Sequence, residues 1–128
     1  MLKNKFYIRV SPSGLIETNE FDPLEDINEV IHDALDGSFY EIVRCRSLPW
    51  KFLMLVDDCG LLKDLEYNDV ASELYGVRIH GCPIVGPAIF MREDMIDGEP
   101  DIVGLTEEDT AELINCFRKF VVIREVRD

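Results

Sequence analysis

Residues 39–57 read FYEIVRCRSLPWKFLMLVD, and this stretch contains the pattern that decides the fold. Its two ends, Phe39–Arg46 and Phe52–Asp57, are rich in aromatic and other residues that favour β-strands. The proline-containing segment Ser47–Trp50 separates them and is typical of a loop. We therefore predict two strands and a connecting loop, which together form the centre of a sheet.

The residues before this stretch predict a hairpin and a helix. Phe6–Val10 and Leu15–Thr18 are β-rich and lie on either side of a short run of turn residues. Asp22 stands at an N-cap position, and the apolar residues that follow recur with helical spacing. Residues 23–36 are therefore predicted to form a helix that ends at Gly37.

The residues after the central stretch predict two more helices and another strand. Asn68 can cap a short helix that runs through Tyr75, and Thr106 precedes a second helix with acidic residues in its first turn. Residues 84–91 are apolar and extended in character. Because Pro87 has no N–H to donate, we expect this strand at an edge or at a bulge of the sheet.

Three segments give less regular patterns. Residues 61–65 predict a return strand or an extended segment, and residues 93–101 predict an acidic loop. Residues 120–126 read as a last strand or as an extension of the last helix. Five of these seven residues are apolar, so they need cover from the chain's own sheet or from a second copy of the protein in a homo-oligomer. The whole pattern predicts one compact α+β domain, residues 1–128, with a mostly antiparallel sheet and two to three helices.

The charge of the chain is strongly negative and uneven. There are 26 acidic and 13 basic residues, for a formal net charge of -13. Acidic residues occur without any Lys or Arg between Arg9 and Arg44, and again between Arg92 and Arg118. Such a balance disfavours direct binding to nucleic acid or to an anionic membrane. Since no run of apolar residues is long enough to span a bilayer, we expect a cytoplasmic protein.

The two acidic segments are the first candidate for a functional surface. A row of carboxylates on a helix can imitate phosphates and compete for Lys and Arg side chains of a nuclease or an immune protein. The same charge also serves solubility alone, so both interpretations stay open. The candidate partner-binding residues are Glu25, Asp26, Glu29, Asp33, Asp36, Glu107, Glu108 and Glu112.

A second candidate is a homo-oligomer that sequesters a nucleotide signal between its subunits. Arginines can neutralise phosphates and aromatic rings can stack on a base, although such residues more often pair with carboxylates or pack in the core. The candidate ligand-binding residues are Arg44, Arg46, Arg78, Arg92 and Tyr75, with Arg124, Arg127, Tyr40, Trp50 and Tyr67 as further possibilities.

Motifs for catalysis, metals and cofactors are absent from the sequence. There is no phosphate-binding loop, nucleophile elbow or zinc helix, and the four cysteines form no C-x-x-C pair. His80 and Cys82 lie close together but have no second ligand pair at a suitable spacing. We therefore predict a non-enzymatic protein with no catalytic residue, no metal and no cofactor.

Three segments in a fixed order carry a family resemblance. They are Phe52–Gly76, with a turn and a capped helix, Ile84–Phe90, with a glycine, and Val103–Asp109, at the start of the last helix. The chain resembles, over roughly residues 40–117, a small domain-of-unknown-function family that is found in phages, plasmids and other bacterial mobile elements. The resemblance implies a fold and a mobile-element origin, and it carries no catalytic motif. Because of this resemblance, our first hypothesis is that the protein counters the defence of a host bacterial cell. A further hypothesis is that it is an accessory regulatory module of the mobile element.

Overall fold

The computed structural model describes residues 3–76, 83–120 and 125–127. Seven strands and three helices occur in this part of the chain. The strands are β1 Phe6–Val10, β2 Leu15–Glu20, β3 Tyr40–Val43, β4 Phe52–Asp57, β5 Ala88–Ile96, β6 Glu99–Val103 and β7 Glu125–Arg127. The helices are α1 Ile27–Ala34, α2 Asp69–Tyr75 and α3 Glu107–Phe120.

The strands form one sheet in the order β3-β4-β5-β1-β2-β7. All neighbours are antiparallel except β2 and β7, which are parallel. β5 is long enough to serve two partners along its length. Ala88–Phe90 pair with β1, and Arg92–Ile96 pair with β6. The α+β class with a mostly antiparallel sheet and three helices is thereby confirmed.

The centre of the sheet is buried on both faces. All six residues of β4 are buried, and the first five alternate between two clusters of apolar side chains. Leu53 and Leu55 pack with residues of α1, whereas Phe52 and Met54 belong to the cluster that includes residues of α2 and α3. The molecule therefore has three layers, with α1 on one face of the sheet and α2 and α3 on the other.

The hairpin β1–β2 and the strands β3 and β4 form where they are predicted, although β3 is shorter than Phe39–Arg46 and β2 extends to Glu20. The first helix is also shorter than the predicted range 23–36. It begins at Ile27 with Asp26 as its N-cap. Asp22 caps a separate turn, because its Oδ1 accepts a hydrogen bond from the Leu24 N–H at 2.9 Å. The predicted stop at Gly37 is close to the observed one, since the Gly37 N–H donates to the His32 carbonyl and Gly37 has a φ of 85°.

Two predictions about strands are wrong. The edge position predicted for residues 84–91 is wrong, since β5 lies in the middle of the sheet; Pro87 stands directly before the strand and costs it no hydrogen bond, and the alternative of a bulge stays a prediction. Residues 61–65 form no strand, since residues 61–64 make turns that are held by the bond from the Lys63 N–H to the Cys59 carbonyl.

Residues 120–126 are predicted to form a last strand or to extend the last helix, and the structure has a strand at residues 125–127. β7 pairs in parallel with β2 through Leu15–Glu17, so the chain's own sheet takes up this segment. Residues 121–124 of the predicted segment lie outside the described residues. No helix in the described part of the chain is long and apolar enough to cross a membrane.

Candidate protein-binding surface

The strongest acidic surface is formed by α1 and the turn before it. Val30, Ile31 and Ala34 are buried against the sheet, and this burial fixes which side of the helix faces water. Six carboxylates between residues 22 and 36 are exposed, and within the described structure only Asp36 has an ion pair, at 3.3 Å from Arg9. These six residues, the α1 acidic face, are Asp22, Glu25, Asp26, Glu29, Asp33 and Asp36.

The structure does not join the two predicted acidic segments into one surface. α1 and α3 cover opposite faces of the sheet, so the candidate residues of α3 cannot extend the α1 acidic face. Glu107 and Glu108 are exposed in the first turn of α3, where negative charge stabilises the helix dipole. Glu112 is paired with Lys51 at 2.8 Å.

An acidic hairpin replaces the acidic loop predicted for residues 93–101. β5 and β6 are joined at Asp97-Gly98, and every residue from 94 to 101 is exposed. Asp97 and Gly98 have φ values of 52° and 82°, the conformation that a tight two-residue hairpin turn requires. An Asp-Gly pair between β-favouring runs is the signal that could have predicted this hairpin from the sequence.

The hairpin presents carboxylates and apolar side chains together. Asp94 lies directly opposite Asp101 in the β5–β6 register, an arrangement of like charges that costs stability. Met95 and Ile96 are 60% and 46% exposed. The β5–β6 pairing itself requires neither this pair of carboxylates nor these two exposed apolar side chains. The hairpin is therefore a second candidate for a contact surface.

A groove of about 670 Å³ connects the base of this hairpin to the start of the α1 acidic face. Its lining includes Phe21–Glu25 on one side and Ile102–Gly104, at the end of β6, on the other. Leu24 is 94% exposed within this lining. The structure therefore brings the α1 acidic face next to the hairpin, a combination that is not visible in the sequence.

A second groove, of about 610 Å³, lies on another side of α1, and we call it the Phe39 groove. Asp26, Glu29 and His32 contribute to it from the helix, and Phe39 and Tyr40 contribute from the start of β3. It therefore combines aromatic rings with carboxylates of the α1 acidic face.

Two of the candidate arginines, Arg44 and Arg92, are paired with carboxylates of the chain itself. Arg44 pairs with Glu93 at 2.8 Å and lies over the Trp50 ring, 4.1 Å from its centroid. Arg92 donates to both oxygens of Asp109 at 3.1 Å. These contacts agree with the alternative that the arginines pair with the abundant acidic residues of the chain and do not bind a nucleotide.

The remaining ligand candidates do not form a cluster. Arg46 is exposed, and Tyr75 lines a different groove near Ile84. Arg78 and Arg124 lie outside the described residues. None of the four grooves found in the described structure is lined by Arg44, Arg46 or Arg92.

Two buried carboxylates hold the structure together at loops. Asp109 caps α3 by accepting from the Thr106 N–H at 3.0 Å, and Asp57 pairs with Lys63 at 2.8 Å. Burial alone would raise the pKa of Asp109, but its bonds with Thr106 and Arg92 hold the pKa below its ordinary value. For Asp57, bonds from Lys63, Ser38 and the Cys59 N–H likewise outweigh burial and lower the pKa.

The described thiols are poorly suited to nucleophilic chemistry. Burial raises the pKa of Cys45 to about 12 and also raises that of Cys116. Hydrogen bonding to the Asp58 carboxylate raises the pKa of Cys59. All three are free thiols, and Cys82 lies outside the described residues. Residues 3–76 and 83–120 contain no group of three or more His, Cys, Asp or Glu side chains that could hold a metal ion.

No protein-family model, no curated protein and no solved structure matches this chain. The geometry defines the chain as a small α+β domain with a three-layer core. Its most distinctive surface is the α1 acidic face, with a groove of mixed polar and apolar lining on either side of it.

Proposed function

We propose that the protein is a non-enzymatic binding protein that occupies a basic site on another protein through the α1 acidic face. One observation carries this proposal. Five of the six carboxylates on this face have no ion pair within the described structure, whereas five of the described Lys and Arg side chains are paired with acids outside this face. Asp22 and Asp26 also cap a turn and the start of α1. No side-chain bond within the described structure accounts for Glu25, Glu29 and Asp33, whereas a partner that supplies Lys and Arg does.

The acidic face would act by electrostatic attraction and competition. Unpaired carboxylates on α1 and the turn before it raise the local negative potential, which accelerates encounter with a basic groove and makes association sensitive to salt. Exposed Leu24 and Phe39, at 94% and 76%, supply the apolar contacts that hold a complex once it has formed. The basic groove of a nuclease is such a site, because it normally accommodates a row of phosphates.

The biological setting of the proposal rests on the family resemblance over residues 40–117. A phage or mobile-element protein of this size that blocks a basic site would counter host defence, with a host nuclease or immune protein as its target. The acidic α1 lies outside the region of resemblance, so the resemblance supports the setting and the surface supports the binding.

The test is capture of partners from bacterial lysate by the tagged protein and by two variants with equal charge changes. The first variant carries Glu25→Gln, Glu29→Gln and Asp33→Asn on the α1 acidic face. The control carries Glu73→Gln, Glu107→Gln and Glu108→Gln, which are exposed on the helices of the opposite layer. We expect the first variant to lose a nuclease or immune protein that the control retains, and we expect salt to elute it.

Other outcomes would contradict the proposal in distinct ways. Equal capture by both variants, or capture that salt does not weaken, would exclude the acidic face as the contact. A nucleotide released on heating, without a protein partner, would favour sequestration. Recovery of replication or transfer proteins would favour an accessory module of a mobile element.

A further inference from the structure

We propose that the Phe39 groove binds the guanidinium group of an arginine side chain on the partner protein. The inference rests on the proposed function and names the chemical group that one part of the acidic surface recognises. It is carried by the pairing of an exposed aromatic ring with unpaired carboxylates in one concave site.

The charge of the groove is complementary to a cation. Asp26 and Glu29 line it, whereas no Lys or Arg is among its described lining residues. The Oδ1 atom of Asp26 accepts from the Asn28 N–H at 2.9 Å, and neither Asp26 nor Glu29 has an ion pair within the described structure. One carboxylate oxygen of Asp26 and the whole Glu29 carboxylate are therefore free to accept bonds from a ligand.

The lysine that bonds to the groove wall is already neutralised. Ser38 belongs to the lining, and its Oγ accepts from the Lys63 ammonium at 2.8 Å. The same ammonium pairs with the buried Asp57 at 2.8 Å. Lys63 therefore leaves the negative charge of Asp26 and Glu29 without compensation.

The aromatic part of the groove is ordered but uncovered. Phe39 is 76% exposed, and its ring centroid lies 5.7 Å from that of His32. The Tyr40 hydroxyl donates to Asn28 Oδ1 at 3.1 Å, which ties the strand side of the groove to α1. An exposed phenyl ring held against a helix offers a flat face on which a planar cation can stack.

A guanidinium group fits these features better than an ammonium group. It is planar, it stacks on aromatic faces, and it donates several hydrogen bonds to carboxylates while being weakly hydrated. The chain itself contains the same combination: Arg44 lies 4.1 Å from the centroid of the Trp50 ring and pairs with Glu93 at 2.8 Å. In the Phe39 groove the ring and the carboxylates are present and the arginine is to come from the partner.

The test is an NMR titration of the ¹⁵N-labelled protein with N-acetyl-L-arginine methylamide. The leucine and lysine methylamides serve as apolar and ammonium controls. We expect the arginine compound to shift the signals of residues 26–32 and 38–40, and we expect weaker shifts with lysine and none there with leucine. Phe39→Ala should weaken the binding roughly fivefold. Glu29→Gln should weaken it about threefold, whereas the charge-matched Glu73→Gln should leave it unchanged.

Several results would overturn the inference. These are shifts spread evenly over the hairpin and α3, binding unchanged in the Phe39→Ala variant, or equal shifts from the leucine or lysine compound. Because Phe39 is mostly exposed, its replacement leaves the core intact, so lost binding is not lost folding. If the arginine compound fails while capture still depends on the α1 acidic face, the groove assignment is wrong and the proposed function stands. If it binds the groove while capture is independent of α1, the proposed function is wrong.

Discussion

Asp109 shows how one buried carboxylate can serve two elements at once. Its side chain is 3% exposed, accepts two bonds from Arg92 on β5, and accepts a third from the Thr106 N–H at the start of α3. The Asp109 N–H in turn bonds to the Thr106 hydroxyl at 3.1 Å, which completes a reciprocal cap. The residue therefore joins a helix terminus to the middle strand of the sheet.

We expect Asp109→Asn to lower the free energy of unfolding by about 2–3 kcal/mol, because it leaves Arg92 without its counter-charge. Urea denaturation followed by circular dichroism measures this change. The matched control is Glu107→Gln, an exposed residue in the same first turn of α3, which should change stability by less than about 0.5 kcal/mol. Equal effects of the two substitutions would show that the ion pair contributes nothing beyond surface charge.

The lowered pKa values of Asp109 and Asp57 predict acid sensitivity. Each group has a pKa below the ordinary value of 3.8, so the folded protein binds fewer protons than the unfolded chain near that pH. Their contribution to stability is present above pH 3.8 and is lost as the pH falls through the lower, folded pKa values. We expect the free energy of unfolding to fall below about pH 4, and to fall less steeply in Asp109→Asn and Asp57→Asn. Identical pH profiles for these variants and the native protein would contradict this assignment.

At the scale of elements, the caps were readable from the sequence because they depend on neighbouring residues. Asn68 caps α2 through a bond from the Ala71 N–H at 3.0 Å, and Gly76 ends the helix with a φ of 90°, both at the predicted positions. The α1 start was misplaced because two acidic residues, Asp22 and Asp26, each form a local cap. Only the packing of Ile27 and its neighbours on the sheet selects the second as the helix start.

The two N-caps Asn68 and Asp26 should differ in their importance. Asn68 is fully buried, and its amide also donates to the Val10 and Gly86 carbonyls at 3.0 and 2.8 Å. We expect Asn68→Ala to cost about 2–3 kcal/mol, because it removes the cap and leaves buried carbonyls unpaired. Asp26→Ala removes an exposed cap alone and should cost about 1 kcal/mol. Thermal or chemical denaturation of both variants measures the difference, and equal losses would refute the role of Asn68 as a tie between α2 and the sheet.

At the scale of the whole molecule, the net charge of -13 sets the response to salt. The acidic residues repel one another in the compact state, and four of the seven ion pairs in the described structure are partly exposed on both sides. We expect the free energy of unfolding to rise by roughly 1 kcal/mol as salt increases to about 0.5 M, because screening reduces repulsion more than it weakens these pairs. The variant Glu25→Gln/Glu29→Gln/Asp33→Asn should gain less from salt. A decrease of stability with salt would mean that ion pairs outweigh repulsion.

The relation between the acidic segments could be seen only in the folded molecule. Both acidic segments can be recognised in the sequence, yet α1 and α3 lie on opposite faces of the sheet. The β5–β6 hairpin, and not α3, lies next to the start of the α1 acidic face. The pairing of β5 with β1 and β4 brings about this arrangement, and it joins residues far apart along the chain. No local pattern encodes which face a helix covers.

Residue order alone was sufficient for the class of fold, the strands around residues 39–57, and the caps of α2 and α3, because hydrophobic period, capping and turn chemistry act within a few positions. The central position of β5, the three layers and the grooves beside α1 required the assembled sheet. They follow from long-range burial of apolar side chains, which rewards contacts between distant segments and selects one arrangement among several that the local patterns permit.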